Sequence, residues 1–154
     1  MNKKNKKNSI ILTFLILFFA SLDLISKFLI VKYLSSTYDI FSFLHLRYVE
    51  NIGIAFSLPV PLPLIVFLNI ILIGVLLYYA LKELNINKKL TIFFLALIVG
   101  GGLGNLIDRI YNGFVIDFIS ILKYPLFNLA DIFITIGVFS MLFFYDIIKR
   151  KNKQ

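Results

Sequence analysis

The sequence predicts an all-α membrane protein, a bundle of four transmembrane helices with a small β-rich element at its extracytoplasmic surface. Hydrophobic residues make up 60% of the 154 residues, well above the roughly 45–50% of a soluble globular domain. About 20 mostly apolar residues suffice for a helix to cross a bilayer, and four stretches qualify: residues 10–31, 62–81, 90–110 and 131–148. We expect one integral membrane domain over residues 1–154, because so short a chain leaves no room for a second.

The first apolar stretch follows a lysine-rich amino terminus, a combination also found in cleavable signal peptides. Its length and the three later stretches favour an uncleaved anchor. Beyond it, apolar and polar residues alternate over residues 44–48, which predicts a strand at the membrane surface. The glycine run 100–104 in the third stretch favours close packing against a neighbouring helix. It is no phosphate loop, since neither Lys-Ser nor Lys-Thr follows it.

The segment between the third and fourth stretches carries two more signals. Residues 115–122 are rich in β-branched and aromatic side chains, which predicts a second strand. Tyr124 and Pro125 then disfavour helix. Asn128 and Asp131 have the spacing of a helix-capping box, so we expect the fourth helix to begin at these residues.

The basic residues indicate the orientation of the bundle. Eleven of the sixteen Lys and Arg lie in three clusters at the two termini and between the second and third spans: Lys3, Lys4, Lys6, Lys7, Lys82, Lys88, Lys89, Lys149, Arg150, Lys151 and Lys153. With four spans these clusters share one side, and positive charge favours the cytoplasm. Both termini are therefore expected inside, with residues 32–61 and 111–130 outside. The net charge of +8 then flanks a membrane and does not indicate a nucleic-acid partner.

Several classes of chemistry are excluded by composition. The chain has no cysteine, which rules out disulfides, thiolate metal sites and cysteine nucleophiles. His45 is the single histidine, too few for an HExxH zinc site, and the sequence has no GxSxG motif, the nucleophile elbow of the α/β-hydrolases.

Polar residues concentrate instead near the outer ends of the predicted helices. Ionisable groups in membrane spans are costly and by default raise a functional hypothesis. Seven such polar groups come from the helices and from both outer loops: Asp23, Asn51, Asn105, Asp108, Arg109, Asp117 and Asp131. The inner half has no comparable group of residues.

Asp117 and Asp131 are the pair that best fits chemistry, because a fourteen-residue excursion can bring its two ends together. At roughly 4 Å and an effective dielectric constant near 20, repulsion between two carboxylates is about 4 kcal/mol, or about three pKa units. Such a pair shares one proton near neutral pH. The ionised member can take a proton from water while the neutral one hydrogen-bonds a scissile carbonyl.

Each candidate also has a simpler reading. Asp131 could only cap a helix, and Asp117 could be a solvated loop carboxylate. Asp23 could form an intrahelical ion pair with Lys27 four residues later. Asp108 and Arg109 could anchor a helix end at the lipid headgroups. A catalytic dyad of Ser26 with Lys27 is disfavoured, because adjacent helical positions point about 100° apart.

Five segments in order resemble the motifs of the bacterial lipoprotein signal peptidases, also called signal peptidase II. The matching segments cover most of the chain: Asp23 to Lys27, Asn51 to Phe56, Gly101 to Arg109, Val115 to Phe118, and Phe127 to Asp131. By this resemblance Asp117 and Asp131 correspond to the catalytic aspartates. The supporting residues would be Asp23, Asn51, Asn105, Asp108, Arg109, Asn128 and Ala130. One departure is Ile54, where the family usually has Ala; a bulkier side chain would narrow the pocket near Asn51 unless it faces lipid.

The resemblance implies an aspartic endopeptidase of the bacterial cytoplasmic membrane with its active site on the extracytoplasmic side. Its substrates would be diacylglyceryl-modified prolipoproteins, cut on the amino-terminal side of the lipidated cysteine. It implies no metal and no organic cofactor, a monomer, and membrane phospholipid as the surrounding partner. Two other classes remain open from the residues alone: a small ion or proton transporter using the same carboxylates, and a non-enzymatic membrane scaffold packed through its glycine run.

Overall fold

The computed structural model describes residues 3–53, 60–122 and 125–150. Its helices are α1 (Lys3–Tyr33), α2 (Leu62–Glu83), α3 (Lys89–Asn112), α4 (Leu129–Phe143) and α5 (Tyr145–Ile148). Its strands are β1 (Tyr38–Phe41), β2 (Leu44–Asn51), β3 (Val115–Ile121) and β4 (Leu126–Phe127). Several residues used in the sequence analysis lie outside the described ranges: Ile54, Ala55, Phe56, Tyr124, Lys151 and Lys153.

Three helices are long and apolar enough to cross a membrane, namely α1 over Asn5–Tyr33, α2 and α3. The fourth predicted span differs from the expectation of one continuous helix over residues 131–148. It begins two residues earlier, at Leu129, and is interrupted at Phe144, so that α4 has 15 residues and α5 forms a separate turn.

The interruption has a visible cause at the end of α2. The backbone N–H of Asn85 donates to the carbonyl of Ile148 at 2.8 Å, and that of Arg150 donates to the carbonyl of Glu83 at 2.8 Å. Ile148 is completely buried there. The carboxy-terminal turn is therefore redirected to pair with the end of α2 instead of continuing the axis of α4.

Helix α3 lies at the centre of the bundle and packs against α1, α2 and α4. Its glycine run allows close approach on two sides. A Cβ atom at Gly100 would lie 2.8 Å from the Cβ of Phe19 on α1, and one at Gly101 would lie 2.6 Å from the carbonyl oxygen of Ala130 on α4. The predicted role of these glycines in helix packing is confirmed.

The contacts also define the two ends of the bundle. The side-chain Nδ2 of Asn8, near the start of α1, donates to the carbonyl of Ile86 at 3.2 Å. Lys149 and Leu84 form an isolated antiparallel β-bridge. The start of α1, the loop between α2 and α3, and the end of α5 therefore meet at one end. The sheet and the first turn of α4 lie at the opposite end.

The four strands form one antiparallel sheet in the order β1-β2-β3-β4. Strand β2 contains the predicted alternating segment 44–48, and β3 agrees with the predicted strand 115–122 except at its last residue. Leu122 has φ 58°, a left-handed conformation that ends the strand, and its N–H donates to the carbonyl of Phe43 at 2.7 Å. Both predicted strands are thus confirmed.

Candidate active site

Strand pairing places Asn51 beside Asp117. Val49 of β2 faces Asp117 of β3, and Asn51 faces Val115, so Asn51 and Asp117 are diagonal neighbours. The amide Nδ2 of Asn51 donates to Oδ2 of Asp117 at 2.8 Å. Asp117 is only 3% exposed, which excludes the reading of a solvated loop carboxylate.

The first turn of α4 fixes Asp131. The N–H of Asp131 donates to Oδ1 of Asn128 at 3.0 Å, and Oδ2 of Asp131 accepts the N–H of Asn128 at 3.1 Å. This confirms the predicted capping box. Capping uses only one carboxylate oxygen, since Oδ1 of Asp131 accepts a hydrogen bond from Nδ2 of Asn105 on α3 at 2.9 Å.

Asn128 connects the two aspartates. Besides its backbone bond to Asp131, its side-chain Nδ2 donates to Oδ1 of Asp117 at 2.8 Å and to Oδ1 of Asn105 at 3.1 Å. The Asn128 residue is fully buried. Because β4 pairs with β3 immediately before Asn128, the sheet and the helix start bring both carboxylates to a single residue.

Lys27 occupies the centre of the polar group, a position that sequence reasoning missed. Its Nζ lies 2.6 Å from Oδ2 of Asp23 and 2.9 Å from Oδ2 of Asp108, and it donates to Oδ1 of Asn105 at 2.9 Å. The intrahelical pair of Asp23 with Lys27 is confirmed, but Lys27 also crosses to α3. The sequence did contain a sign of this role, because Lys27 is a lysine inside an apolar helix, one turn after Asp23 and within the first of the five motifs.

Asp23 and Asp108 each hold a distant backbone segment. Oδ1 of Asp23 accepts the N–H of Ala130 at 2.9 Å, and Oδ2 of Asp108 accepts the N–H of Ile116 at 3.2 Å. Asp108 is 3% exposed, so the reading in which it anchors a helix end at the headgroups is wrong.

Arg109 contacts the strand end that carries Asn51. Its Nη2 donates to the carbonyl of Gly53 at 3.2 Å, and its Nη1 to the carbonyl of Asn105 at 3.4 Å. Guanidinium has five N–H donors, so donors beyond these two bonds remain for other oxygen atoms. The expected contact of Arg109 with substrate oxygens stays a prediction.

The environment of Asp117 changes its proton affinity. Burial raises the pKa of Asp117 to about 6, and the negative charge of Asp131 acts in the same direction. Hydrogen bonds from Asn51 and Asn128 and the charge of Lys27 oppose this rise. A carboxyl group with this pKa can hold a proton in weakly acidic surroundings while a neighbouring carboxylate stays ionised.

The described residues contain no group of three or more His, Cys, Asp or Glu that could hold a metal ion. Among those same residues, the buried polar side chains lie almost entirely at the sheet end of the bundle: Asp23, Lys27, Asn105, Asp108, Asp117, Ser120 and Asn128, with Thr91 at the other end. A transporter would need polar residues along the whole path, and this distribution does not supply them.

Comparisons with known proteins agree with the resemblance to the signal peptidase II family. The sequence profile of the family described as signal peptidase (SPase) II matches residues 15–148. A lipoprotein signal peptidase of Caldanaerobacter subterraneus is 39% identical over 127 residues, covering 80% of this chain and 87% of that protein. A lipoprotein signal peptidase of Thermodesulfovibrio yellowstonii is 40% identical over 158 residues, covering 97% of this chain and 100% of that protein.

The fold is also shared with a solved structure. A structure described as a bacterial membrane enzyme superposes with a TM-score of 0.74 at 27% identity, covering 97% of this chain and 94% of that one. The profile match spans most of the chain, and the relatives exceed 30% identity over most of their length. The chain therefore belongs to the signal peptidase II family, a family of aspartic peptidases.

Proposed function

We propose that Asp117 and Asp131 are the catalytic pair with which this chain removes signal peptides from prolipoproteins. The observation that carries the proposal is Asn128, which donates its side-chain amide to Asp117 and its backbone N–H to Asp131. A single buried residue thereby holds both carboxyl groups at one location. Family membership supplies the reaction, and the two carboxyl groups supply a means of activating water.

In the proposed reaction the pair holds one proton. Asp117, with its pKa raised to about 6, is the member that carries it. Asp131 lies in the first turn of α4, where the helix dipole favours a negative charge. The carboxylate takes a proton from water as the water oxygen attacks the scissile carbonyl carbon. The neutral carboxyl donates a hydrogen bond to the carbonyl oxygen, and the proton taken from water then passes to the leaving nitrogen as the C–N bond breaks.

The remaining site residues act by holding this pair. Asn51, Asn105 and Asn128 donate amide hydrogen bonds to the two carboxyl groups. Asp23 fixes the backbone of Ala130, and Asp108 fixes that of Ile116. Arg109 fixes Gly53 and presents its remaining donors to substrate oxygens. No organic cofactor or metal takes part in this scheme.

The proposed substrate is a prolipoprotein whose cysteine carries diacylglycerol, cut on the amino-terminal side of that cysteine. An acylated segment can reach the pair sideways from lipid, because many large side chains of α2 are exposed in the monomer, among them Phe67, Leu68 and Leu72. Membrane phospholipid would occupy these faces when substrate is absent. The enzyme acts as a monomer in this proposal.

We place the protein in the bacterial cytoplasmic membrane with four spans and both termini inside. Seven described basic residues lie at the end of the bundle opposite Asp117 and Asp131, namely Lys6, Lys7, Lys82, Lys88, Lys89, Lys149 and Arg150. Positive charge near a membrane span favours the cytoplasm. The catalytic pair then faces the extracytoplasmic side. At 1.5 Å per residue α4 is about 22 Å long, shorter than the hydrocarbon core of about 30 Å. Helix α5 would complete the fourth crossing.

The experiment compares Asp117→Asn and Asp131→Asn with wild type on a diacylglyceryl-modified prolipoprotein. Each variant should lower kcat by about 100-fold or more, because general acid–base catalysis is lost. Asp146→Asn is the matched control, since the side chain of Asp146 is 88% exposed and lies at the other end of the bundle. Wild-type turnover by either site variant, in protein that inserts and purifies normally, would refute the assignment.

A further inference from the structure

We propose that Lys27 is a positioning residue that sets the placement of both catalytic aspartates at once. This inference rests on the proposed function of Asp117 and Asp131. Its basis is the arrangement of Lys27 between Asp23 and Asp108, each of which accepts a backbone N–H from the residue just before a catalytic aspartate.

The first branch runs from Lys27 to Asp131. Nζ of Lys27 pairs with one oxygen of Asp23 at 2.6 Å, and the other oxygen of Asp23 accepts the N–H of Ala130 at 2.9 Å. Ala130 immediately precedes Asp131 in the first turn of α4 and is completely buried. The ion pair therefore fixes the start of α4 against α1.

The second branch runs from Lys27 to Asp117. Nζ of Lys27 lies 2.9 Å from Oδ2 of Asp108, and that same oxygen accepts the N–H of Ile116 at 3.2 Å. Ile116 immediately precedes Asp117 on β3. The lysine therefore fixes the strand that carries Asp117 against α3.

A third contact orients an amide between the branches. Nζ of Lys27 donates to Oδ1 of Asn105 at 2.9 Å, so the Nδ2 group of Asn105 must turn away from the lysine. That group donates to Oδ1 of Asp131 at 2.9 Å. Nζ of Lys27 thus makes one hydrogen bond, to Asn105, and two ion pairs, with Asp23 and Asp108.

Burial of the Lys27 side chain also supports a specific role for its charge. Its side chain is 2% exposed, and burying a charge is unfavourable unless it is well paired. Breaking such a pair leaves two buried carboxylates without a cation, and both would release or shift the backbone segments they hold. Displacements of about 1 Å at a catalytic group can cost about 100-fold in rate.

The test compares Lys27→Met with Lys32→Met, which removes the same charge from an exposed position five residues later on α1. Purified variants would cleave a synthetic diacylglyceryl-modified signal peptide. We expect Lys27→Met to lower kcat by about 100-fold while KM changes less than about threefold, because the catalytic groups are displaced and the binding surface is not. Lys32→Met should behave as wild type.

The pH profile separates this role from a purely structural one. The charge of Lys27 lowers the pKa of Asp117. Its removal should therefore move the alkaline limb of the kcat/KM profile to higher pH. The other charged or titratable groups around this strand are Asp23 on α1, Asp108 and Arg109 on α3, Asp131 on α4, and on β2 His45, Arg47, Tyr48 and Glu50. Loss of the cation leaves Asp23 and Asp108 unbalanced, which acts in the same direction.

A triple variant keeps the test decisive if Lys27→Met does not fold. In Asp23→Asn/Lys27→Met/Asp108→Asn the amide oxygens can still accept the N–H groups of Ala130 and Ile116, while no buried charge is left unpaired. We expect this protein to fold and to have a kcat at least about tenfold below wild type.

The proposal is overturned if folded Lys27→Met, or the triple variant, keeps kcat within about threefold of wild type. It is also overturned if Lys27→Met lowers the unfolding temperature alone, with a normal kcat and pH profile. Asp117→Asn in the same assay reports on the proposed function separately, because its activity does not depend on what Lys27 does.

Discussion

Oδ1 of Asp23 accepts a hydrogen bond from the backbone N–H of Ala130 at 2.9 Å, across 107 residues of sequence. The same carboxylate pairs with Lys27 through its other oxygen. One side chain therefore connects α1 to the start of α4, next to Asp131. We attribute the presence of a buried aspartate within the apolar helix α1 to that connection.

Replacing Asp23, which is completely buried, should lower the free energy of unfolding. Asp23→Ala leaves Lys27 short of one buried partner and the N–H of Ala130 unpaired, an effect of about 3–5 kcal/mol for a broken buried ion pair. Asp23→Asn keeps an acceptor for Ala130 and should lose less. Thermal unfolding in detergent micelles measures both, and equal unfolding temperatures for wild type and Asp23→Ala would contradict this account.

The two helical glycines Gly101 and Gly74 provide a matched pair for testing helix packing. A Cβ atom at Gly101 would come within 2.6 Å of the carbonyl oxygen of Ala130, whereas nothing lies within 4 Å of one at Gly74. Gly101→Ala should push α4 away and reduce stability by about 1–3 kcal/mol. Gly74→Ala should be neutral or stabilise by up to about 1 kcal/mol, since alanine favours helix.

The same two substitutions should also differ in their effect on activity, because Ala130, which Gly101 contacts, adjoins Asp131. We expect Gly101→Ala to lower kcat and Gly74→Ala to leave it unchanged in peptide cleavage. Full activity in Gly101→Ala would show that α4 can shift without moving its carboxylate.

The rate of cleavage should fall as the pH rises through the pKa of Asp117. The active pair carries one proton, and burial raises the pKa of Asp117 to about 6. Below that pH Asp117 is protonated and can donate to the scissile carbonyl, whereas above it Asp117 has lost this proton. A profile of kcat/KM against pH measures this limb directly.

Substitution of Asn51 provides a second test of the alkaline limb of the kcat/KM profile. Its hydrogen bond to Asp117 favours the ionised form and so lowers the pKa of Asp117. Asn51→Ala should therefore move the alkaline limb to higher pH. Movement to lower pH would mean that Asn51 favours the protonated form.

Sequence reasoning found the elements of this site more readily than their connections. Strand alternation and the capping box were local patterns, so β2, β3 and the start of α4 could be predicted from them. The redirected turn at Phe144 depends on pairing with the end of α2, which no local pattern encodes. Lys27 was missed for a related reason, because its contact with Asp108 joins two helices and only its intrahelical neighbour Asp23 is visible in the sequence.

Infrared titration of the carboxyl groups tests most directly whether Asp117 and Asp131 act as a pair. Wild type should show a protonated carboxyl band that titrates with a midpoint of about 6 and is missing in Asp117→Asn. The charge of Asp131 raises the pKa of Asp117, so Asp131→Asn should move this midpoint to lower pH. A midpoint that stays the same in Asp131→Asn would mean that the two carboxyl groups do not share a proton, and the proposed mechanism would be wrong.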